Sequence, residues 1–197
     1  PTGVVAGLAL KGEAKEVVLE GSTLNAESQT AYVATGSYGL AIVDASQFQK
    51  PVVLSQLDLL GDSVDVSVDA SLAIAAVASG IGGLNLVNVA TPNNPTLLQN
   101  IAFNATQVEV FEGIAYASRG AELRAYDLLT GERLATYVGT ATITGLAREG
   151  SMLYTMDANR ALHAIDISSG ALVSRGTVVM PSAGNKLFVG GGGAYIA

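Results

Sequence analysis

Four apolar segments of this chain end in Asp or Asn at a nearly constant spacing. They are Gly39–Asp44, Gly83–Asn88, Glu122–Asp127 and Ala161–Asp166, so their ends lie 44, 39 and 39 residues apart. A second series runs in phase with them: Ala31–Ala34, Ala75–Ala78, Ala115–Ser118, Leu153–Met156 and Ala194–Ala197. Its second residues are at 32, 76, 116, 154 and 195, at intervals of 44, 40, 38 and 41. In the second unit Ala73–Ala76 fits the pattern as well. Each Asp or Asn is followed by a turn rich in Ser, Pro, Gly and Asn, and then by another short apolar segment. These are Pro51–Leu59, Pro95–Phe103, Glu132–Val138 and Ala171–Val178. A fourth segment completes the unit, clearest in Val64–Asp69, where apolar and polar residues alternate as in a half-buried strand.

Each unit of about 40 residues therefore holds four short strands, and helical periodicity is absent throughout. A four-stranded sheet with two apolar faces cannot bury both alone. Radial stacking of such sheets solves the problem, and this period is that of a propeller blade. A stack of β-coils needs shorter repeats, and two separate sandwiches would not hold a constant phase. The expectation is an all-β fold: a β-propeller, or a fragment of one, with blades of four antiparallel strands. It would have about four full repeats plus partial terminal blades. The repeats are expected at 24–60, 61–104, 105–139 and 140–179, with a partial one at 180–197 and residues 1–23 ending a preceding blade.

The phases at the two ends carry a further expectation. Pro1–Leu10 matches Pro51–Leu59 and reads as an outermost strand, while Ala194–Ala197 stops just before a third strand. A fifth blade built from both ends would lack that strand, leaving a gap of about 4.8 Å. The expectation is that additional blades of the same protein close the ring, and that this chain is an open arc or completes itself against another chain.

Composition narrows the partners. The net charge is −7 and the ten Lys and Arg are scattered singly, so no basic stripe exists to neutralise phosphates; nucleic acid is not an expected partner. The most apolar stretch, Val66–Val89, is broken by Asp69, Ser71, Ser79 and Asn88, which suits buried strands and excludes a membrane-spanning helix there. The absence of cysteine excludes disulfides, thiolate metal sites and cysteine nucleophiles.

The run Ala31–Asp44, followed by Pro51-Val52-Val53-Leu54, closely resembles the LVIVD repeat, a family of bacterial and archaeal propeller repeats found in cell-surface or secreted proteins. The second unit matches through Gly83–Asn88 and Asn94-Pro95. The third and fourth lack the proline, and their Asp127–Leu134 and Asp166–Leu172 are similar to quinoprotein-like propeller repeats. The resemblance implies a propeller and an extracellular or cell-surface location in a prokaryote. It implies no particular activity, because unrelated functions share this fold.

Asp44, Asp127 and Asp166 are expected to cap the turns that follow them, a short carboxylate accepting backbone N–H bonds one or two residues on. The repeated tyrosines at 32, 116, 154 and 195 are expected in packing between sheets. Asp62, Asp65 and Asp69 form the densest acidic group. Asp65 and Asp69 share a strand face with Ser67, and oxygen ligands of that kind make calcium the one metal candidate, although the spacing matches no calcium loop. His163 is the sole histidine, a strand-face residue with no partner that marks it as a metal ligand or general base. Gly80-Ile81-Gly82-Gly83 superficially suggests a phosphate loop, but a strand follows it where a helix N-terminus is required. Gly190–Gly193 reads as a tight turn between strands. Asn104-Ala105-Thr106 is formally a glycosylation sequon, and no Gly-x-Ser-x-Gly elbow occurs.

No catalytic or cofactor-binding residue is assigned on this basis. The expected function is a non-enzymatic surface module for protein interaction or structural scaffolding, its partner a protein or a surface polymer. The scarcity of aromatic residues weighs against carbohydrate platforms. The alternative is part of a propeller enzyme, a quinoprotein-like dehydrogenase or a hydrolase, with its active site in other blades.

Overall fold

The computed structural model describes residues 6–21, 29–47 and 49–197. Among these residues the chain is all-β: eighteen strands form four four-stranded antiparallel sheets and one two-stranded sheet, and the helical element is a single 3₁₀ turn at Gly80–Gly82. No helix there is long and apolar enough to cross a membrane.

The chain divides into two compact units, Pro1–Thr106 and Gln107–Ala197. The first unit holds two sheets. One comprises β1 (Glu16–Glu20), β2 (Thr30–Ala34), β3 (Leu40–Asp44) and β4 (Val52–Leu57); the other comprises β5 (Asp65–Asp69), β6 (Ile74–Ala78), β7 (Leu84–Asn88) and β8 (Thr96–Ile101). In the second unit the third sheet contains β9 (Gln107–Phe111), β10 (Ile114–Arg119), β11 (Glu122–Asp127) and β12 (Arg133–Val138). The fourth sheet contains β13 (Ile143–Glu149), β14 (Met152–Asp157), β15 (Ala161–Asp166) and β16 (Val173–Val179). A hairpin of β17 (Leu187–Gly190) and β18 (Gly193–Ile196) follows.

Strands pair in sequence order within every sheet, and the third strands end at Asp44, Asn88, Asp127 and Asp166, as the sequence spacing requires. Tyr32 pairs with Ile42, Ala76 with Leu86, Tyr116 with Ala125 and Tyr154 with Ala164. Each of these partners lies two residues before the terminal Asp or Asn, which places Ala75–Ala78 in phase with Ala31–Ala34. The first sheet, however, starts at Glu16 and not at residue 24. Glu16–Glu20 pairs with Thr30–Ala34 over five residues, so this segment completes its own sheet instead of ending a preceding one. Residue 24 itself lies outside the described residues. Of the proposed outer strand Pro1–Leu10, residues 6–10 carry no strand and the remainder lies outside the described residues.

Alternation along the strands gives each sheet two apolar faces. In the first unit Tyr32, Leu40 and Ile42 from one sheet meet Val66, Val77 and Val87 from the next in a single buried cluster. In the second unit Tyr116, Leu123 and Ala125 meet Ile143, Leu153 and Ile165 in the same manner. Burial of side chains such as Leu40, Ile42, Leu123 and Ile165 contributes about 1.5–3 kcal/mol each. Backbone bonds tie neighbouring sheets at one edge within each unit: Gly36 and Ser63 exchange two N–H···O bonds of 2.9 Å, and the Ile143 N–H donates to the Gly120 carbonyl at 2.8 Å.

The pairing of third and outer strands slips at one repeated place, between Ile42 and Val43, Leu86 and Val87, Ala125 and Tyr126, and Ala164 and Ile165. The extra residues of these β-bulges are Leu54, Leu98, Leu134 and Arg175. Such an insertion kinks the outer strand and increases its twist. Arg175 turns its bulge to use, its guanidinium donating to Asp166 Oδ2 at 2.7 and 3.1 Å.

Backbone approach is closest in the first unit at Gly82, where a Cβ would stand 1.7 Å from the Leu60 carbonyl oxygen. That obstacle is main chain, so it cannot rotate away. Gly80 nearby has φ +53°, and a Cβ there would meet the Asp62 carbonyl oxygen at 3.9 Å, an ordinary contact distance. Gly82→Ala is therefore expected to cost about 2–3 kcal/mol through overpacking, and Gly80→Ala only about 1 kcal/mol through its left-handed backbone. Chemical denaturation of the two variants checks the order.

Candidate functional site

The turn carboxylates behave as their sequence positions require. Asp44 Oδ1 accepts the Ser46 N–H at 2.9 Å, Asp127 Oδ1 accepts those of Leu129 and Thr130 at 2.9 and 2.8 Å, and Asp166 Oδ1 accepts that of Ser168 at 2.9 Å. Asn88 does the same for Ala90. Hydrogen bonds to the charged form hold the carboxyls of all three aspartates below their ordinary value. For Asp166, bonds from Ser168 and then from Arg175 bring it to about 2.

Asp62, Asp65 and Asp69 do not converge. Asp65 and Asp69 share a face of β5 but stand at its two ends, about 13 Å apart at the strand rise. Asp65 Oδ1 accepts the Val66 N–H, and Asp69 Oδ1 accepts the N–H groups of Ser71 and Leu72 together with the Ser71 hydroxyl. Asp62 lies beside Gly36 and Lys15, whereas Asp69 faces Glu20, whose carboxyl is pushed up by burial and then by Asp69. Among the described residues no three His, Cys, Asp or Glu side chains gather as a metal site.

What sequence reasoning missed is a polar cluster built on one repeat position. Three residues before the terminal Asp or Asn, the third strand carries Asn85 in the second sheet and His163 in the fourth. Asn85 donates to Ser79 Oγ at 2.9 Å, Ser79 Oγ lies 2.9 Å from Ser63 Oγ, and Asn100 donates both to Asn85 Oδ1 at 2.8 Å and to the Gly82 carbonyl at 2.6 Å. Ser63, Ser79 and Asn85 are buried. The network thus locks the connection between β6 and β7 onto the sheet end.

In the fourth sheet His163 joins three strands. Its Nε2 lies 3.1 Å from Asp157 Oδ2 at the end of β14, and its Nδ1 lies 2.9 Å from Thr177 Oγ1 on β16. Asp157 is buried and its Oδ1 accepts the Asn159 and Ala161 N–H groups, both at 2.9 Å. Burial works to raise the Asp157 carboxyl, but the bonds from Ala161, His163 and Asn159 outweigh it and leave it below its ordinary value. Thr155, paired with His163 across the strands, holds a buried hydroxyl with no hydrogen-bond partner among the described residues. A polar residue inside the otherwise apolar runs Leu84–Asn88 and Leu162–Asp166 is the signal that points to both clusters.

Above the Ser63–Asn85 network, large side chains face solvent. Leu60 is 76% exposed in the β4–β5 connection and Ile81 88% exposed in the β6–β7 connection. The two backbones touch through Gly61 and Gly82. Tyr38, on the β2–β3 connection, is exposed with the Lys11 ammonium 5.2 Å from its ring centre. Two of the four repeat tyrosines pack in cores, Tyr32 at 7% and Tyr116 at 1% exposure, and Tyr154 is half-buried, but Tyr195 is 63% exposed.

No protein-family model matches the chain, and no curated protein matches it. Among solved structures it is similar to two computationally designed proteins. The crystal structure of Ika4 matches 65% of this chain and 79% of its own, with 16% identity and a TM-score of 0.54. That of Ika8 matches 87% of this chain at 14% identity, with a TM-score of 0.61; the chain spans 52% of its length. Likeness at this identity concerns the fold alone.

Breaking the Asp157–His163–Thr177 chain should destabilise the second unit. His163→Ala strands a buried carboxylate and is expected to cost about 2 kcal/mol. The depressed Asp157 and Asp166 carboxyls add stability that is complete above their ordinary 3.8 and lost as pH falls through their lower folded values, toward 2 for Asp166. Denaturation of wild type and Asp157→Asn between pH 5 and pH 2 checks this. The variant is expected to be weaker at neutral pH and to show a shallower loss in acid.

Proposed function

We propose that the four-stranded sheets are propeller blades and that the chain is a non-enzymatic binding scaffold whose partner is a protein. Successive sheets stacked through apolar faces within each unit, with outer strands bulged at one repeat position, support the blade assignment. The binding assignment rests on one observation: Leu60 and Ile81 are held in solvent on connections that cannot easily move. Gly61 and Gly82 press the two backbones together, and the Ser63–Ser79–Asn85–Asn100 network holds the Gly82 carbonyl from below. Exposed aliphatic side chains on rigid loops contribute to association with little ordering cost, which is the economy of a preorganised interface. Tyr38 adds an aromatic group of the kind enriched at interface centres. An acidic chain of this composition agrees with an extracellular or cell-surface setting, and the LVIVD-like repeats point the same way.

A propeller enzyme is the second reading. It is favoured by the ordering of Asp157, His163 and Thr177, in which a carboxylate orients an imidazole beside a hydroxyl.

The test pairs wild type with a Leu60→Ser, Ile81→Ser double variant as baits against surface and secreted protein fractions. A partner bound at least about tenfold more weakly by the variant, with thermal stability unchanged, supports the scaffold. Hydrolase or dehydrogenase turnover that disappears in His163→Ala at a temperature where the variant is still folded decides for the enzyme.

A further inference from the structure

In each complete sheet one pair of residues meets across the third and outer strands at the same repeat position. The pairs are Ala41 with Gln56, Asn85 with Asn100, Arg124 with Thr136 and His163 with Thr177. Of these, the fourth alone sets an imidazole beside a hydroxyl. We propose that Thr177 is an acyl-acceptor site, its hydroxyl taking the acyl group of an activated carboxylic ester with His163 as the base. The site shares its residues with the enzymatic reading but requires a single acyl transfer and no turnover. It owes nothing to the Leu60–Ile81 surface of the first unit, so either can fail alone.

The hydrogen bonds fix where the protons lie. Asp157 is buried, and its carboxyl is held below its ordinary value, so at neutral pH it is a carboxylate and can only accept. The proton of the neutral imidazole therefore sits on Nε2, 3.1 Å from Asp157 Oδ2. Nδ1 is left with its lone pair facing Thr177 Oγ1 at 2.9 Å, the position of a general base beside a nucleophile. His163 is shielded at 9% exposure, whereas Thr177 is exposed on β16. The base is thus protected and the hydroxyl is reachable.

Backbone register adds a second element. The Met180 N–H donates to the Arg160 carbonyl at 2.8 Å. Antiparallel alternation then makes His163 and Thr177 a non-hydrogen-bonded pair, in which side chains stand closest. It also directs the Thr177 N–H away from β15, where it is available to an oxyanion on the acyl carbonyl. In the reaction Thr177 Oγ1 gives its proton to His163 Nδ1 and bonds to the acyl carbon. The bond from that carbon to the leaving oxygen breaks, and this oxygen takes the proton from Nδ1. Thr177 ends as an ester, the donor as an alcohol, and His163 as the neutral imidazole it was.

The third sheet supplies an internal control. Gly139 donates to the Ala121 carbonyl at 2.8 Å, so Thr136 occupies the same kind of pair and is exposed as well. Its neighbour Arg124 is a guanidinium with no lone pair to receive a proton.

The probe is p-nitrophenyl acetate at about pH 8, with acid quenching and peptide mapping of Thr177 and Thr136 in the same sample. Neutral hydroxylamine removes acetyl esters and leaves lysine amides, which separates hydroxyl from amine labelling. Thr177 is expected to acetylate at least about tenfold faster than Thr136, to lose about tenfold or more in His163→Gln, and to keep its reactivity in Thr177→Ser. His163→Gln is judged at a temperature where circular dichroism shows it folded. The comparison of Thr177 with Thr136 uses wild type alone, so a misfolded variant cannot decide the outcome. His163 is the sole histidine, so isotope labelling of histidine nitrogens gives one residue's magnetic resonance signals, with the proton expected on Nε2. Nitrophenol release that continues past one equivalent and stops in Thr177→Val supports the acceptor and adds turnover. Equal acetylation of Thr177 and Thr136 overturns the proposal, as does labelling undiminished in folded His163→Gln or an imidazole proton found on Nδ1.

Discussion

Everything in this structure depends on a sheet with two apolar faces needing a neighbour. Alternation along β3 sends Leu40 and Ile42 to one side and Ala41 and Val43 to the other, and both sets are buried. A repeat of this kind has no solvent face to spare, so its stability is set by what stacks on it. Within each unit the answer is the next repeat in sequence, with branched aliphatic side chains meeting alanine and tyrosine. The polar groups at the sheet ends are secondary to that stacking. They settle where the chain turns, once the faces have settled where the sheets lie.

The all-β architecture was legible because it is written in local pattern. Asp44, Asn88, Asp127 and Asp166 end their strands for a reason contained in the next three residues, the backbone N–H groups of the turn. Spacing alone therefore located every third strand. The start of the first sheet was not legible in the same way. Glu16–Glu20 precedes a long connection, and only its pairing with Thr30–Ala34 shows which sheet it joins.

The candidate site was less accessible, for a related reason. Same-face logic placed Asp65 and Asp69 together but carries no information on distance along the strand, where four residues already exceed any ligand sphere. The contacts of His163 reach a turn on one side and an outer strand on the other. Thr177 meets it only because of the register of β15 with β16. Long-range register is a property of the assembled sheet, so a lone histidine reads as bland until the sheet exists. The recurrence of a polar residue at the positions of Asn85 and His163 is as much of that cluster as the chain discloses by itself.

The bulges at Leu54, Leu98, Leu134 and Arg175 have a consequence for life in a crowded solution. A straight outer strand offers an unbroken row of donors and acceptors, a template on which other chains can polymerise. One unpaired residue in each outer strand throws that row out of step, so an intruding strand meets a mismatch within a few residues. Repeat proteins risk joining to copies of themselves because every unit resembles every other. Here the protection is copied along with the unit, at the same place each time, so lengthening the array adds no unguarded outer border.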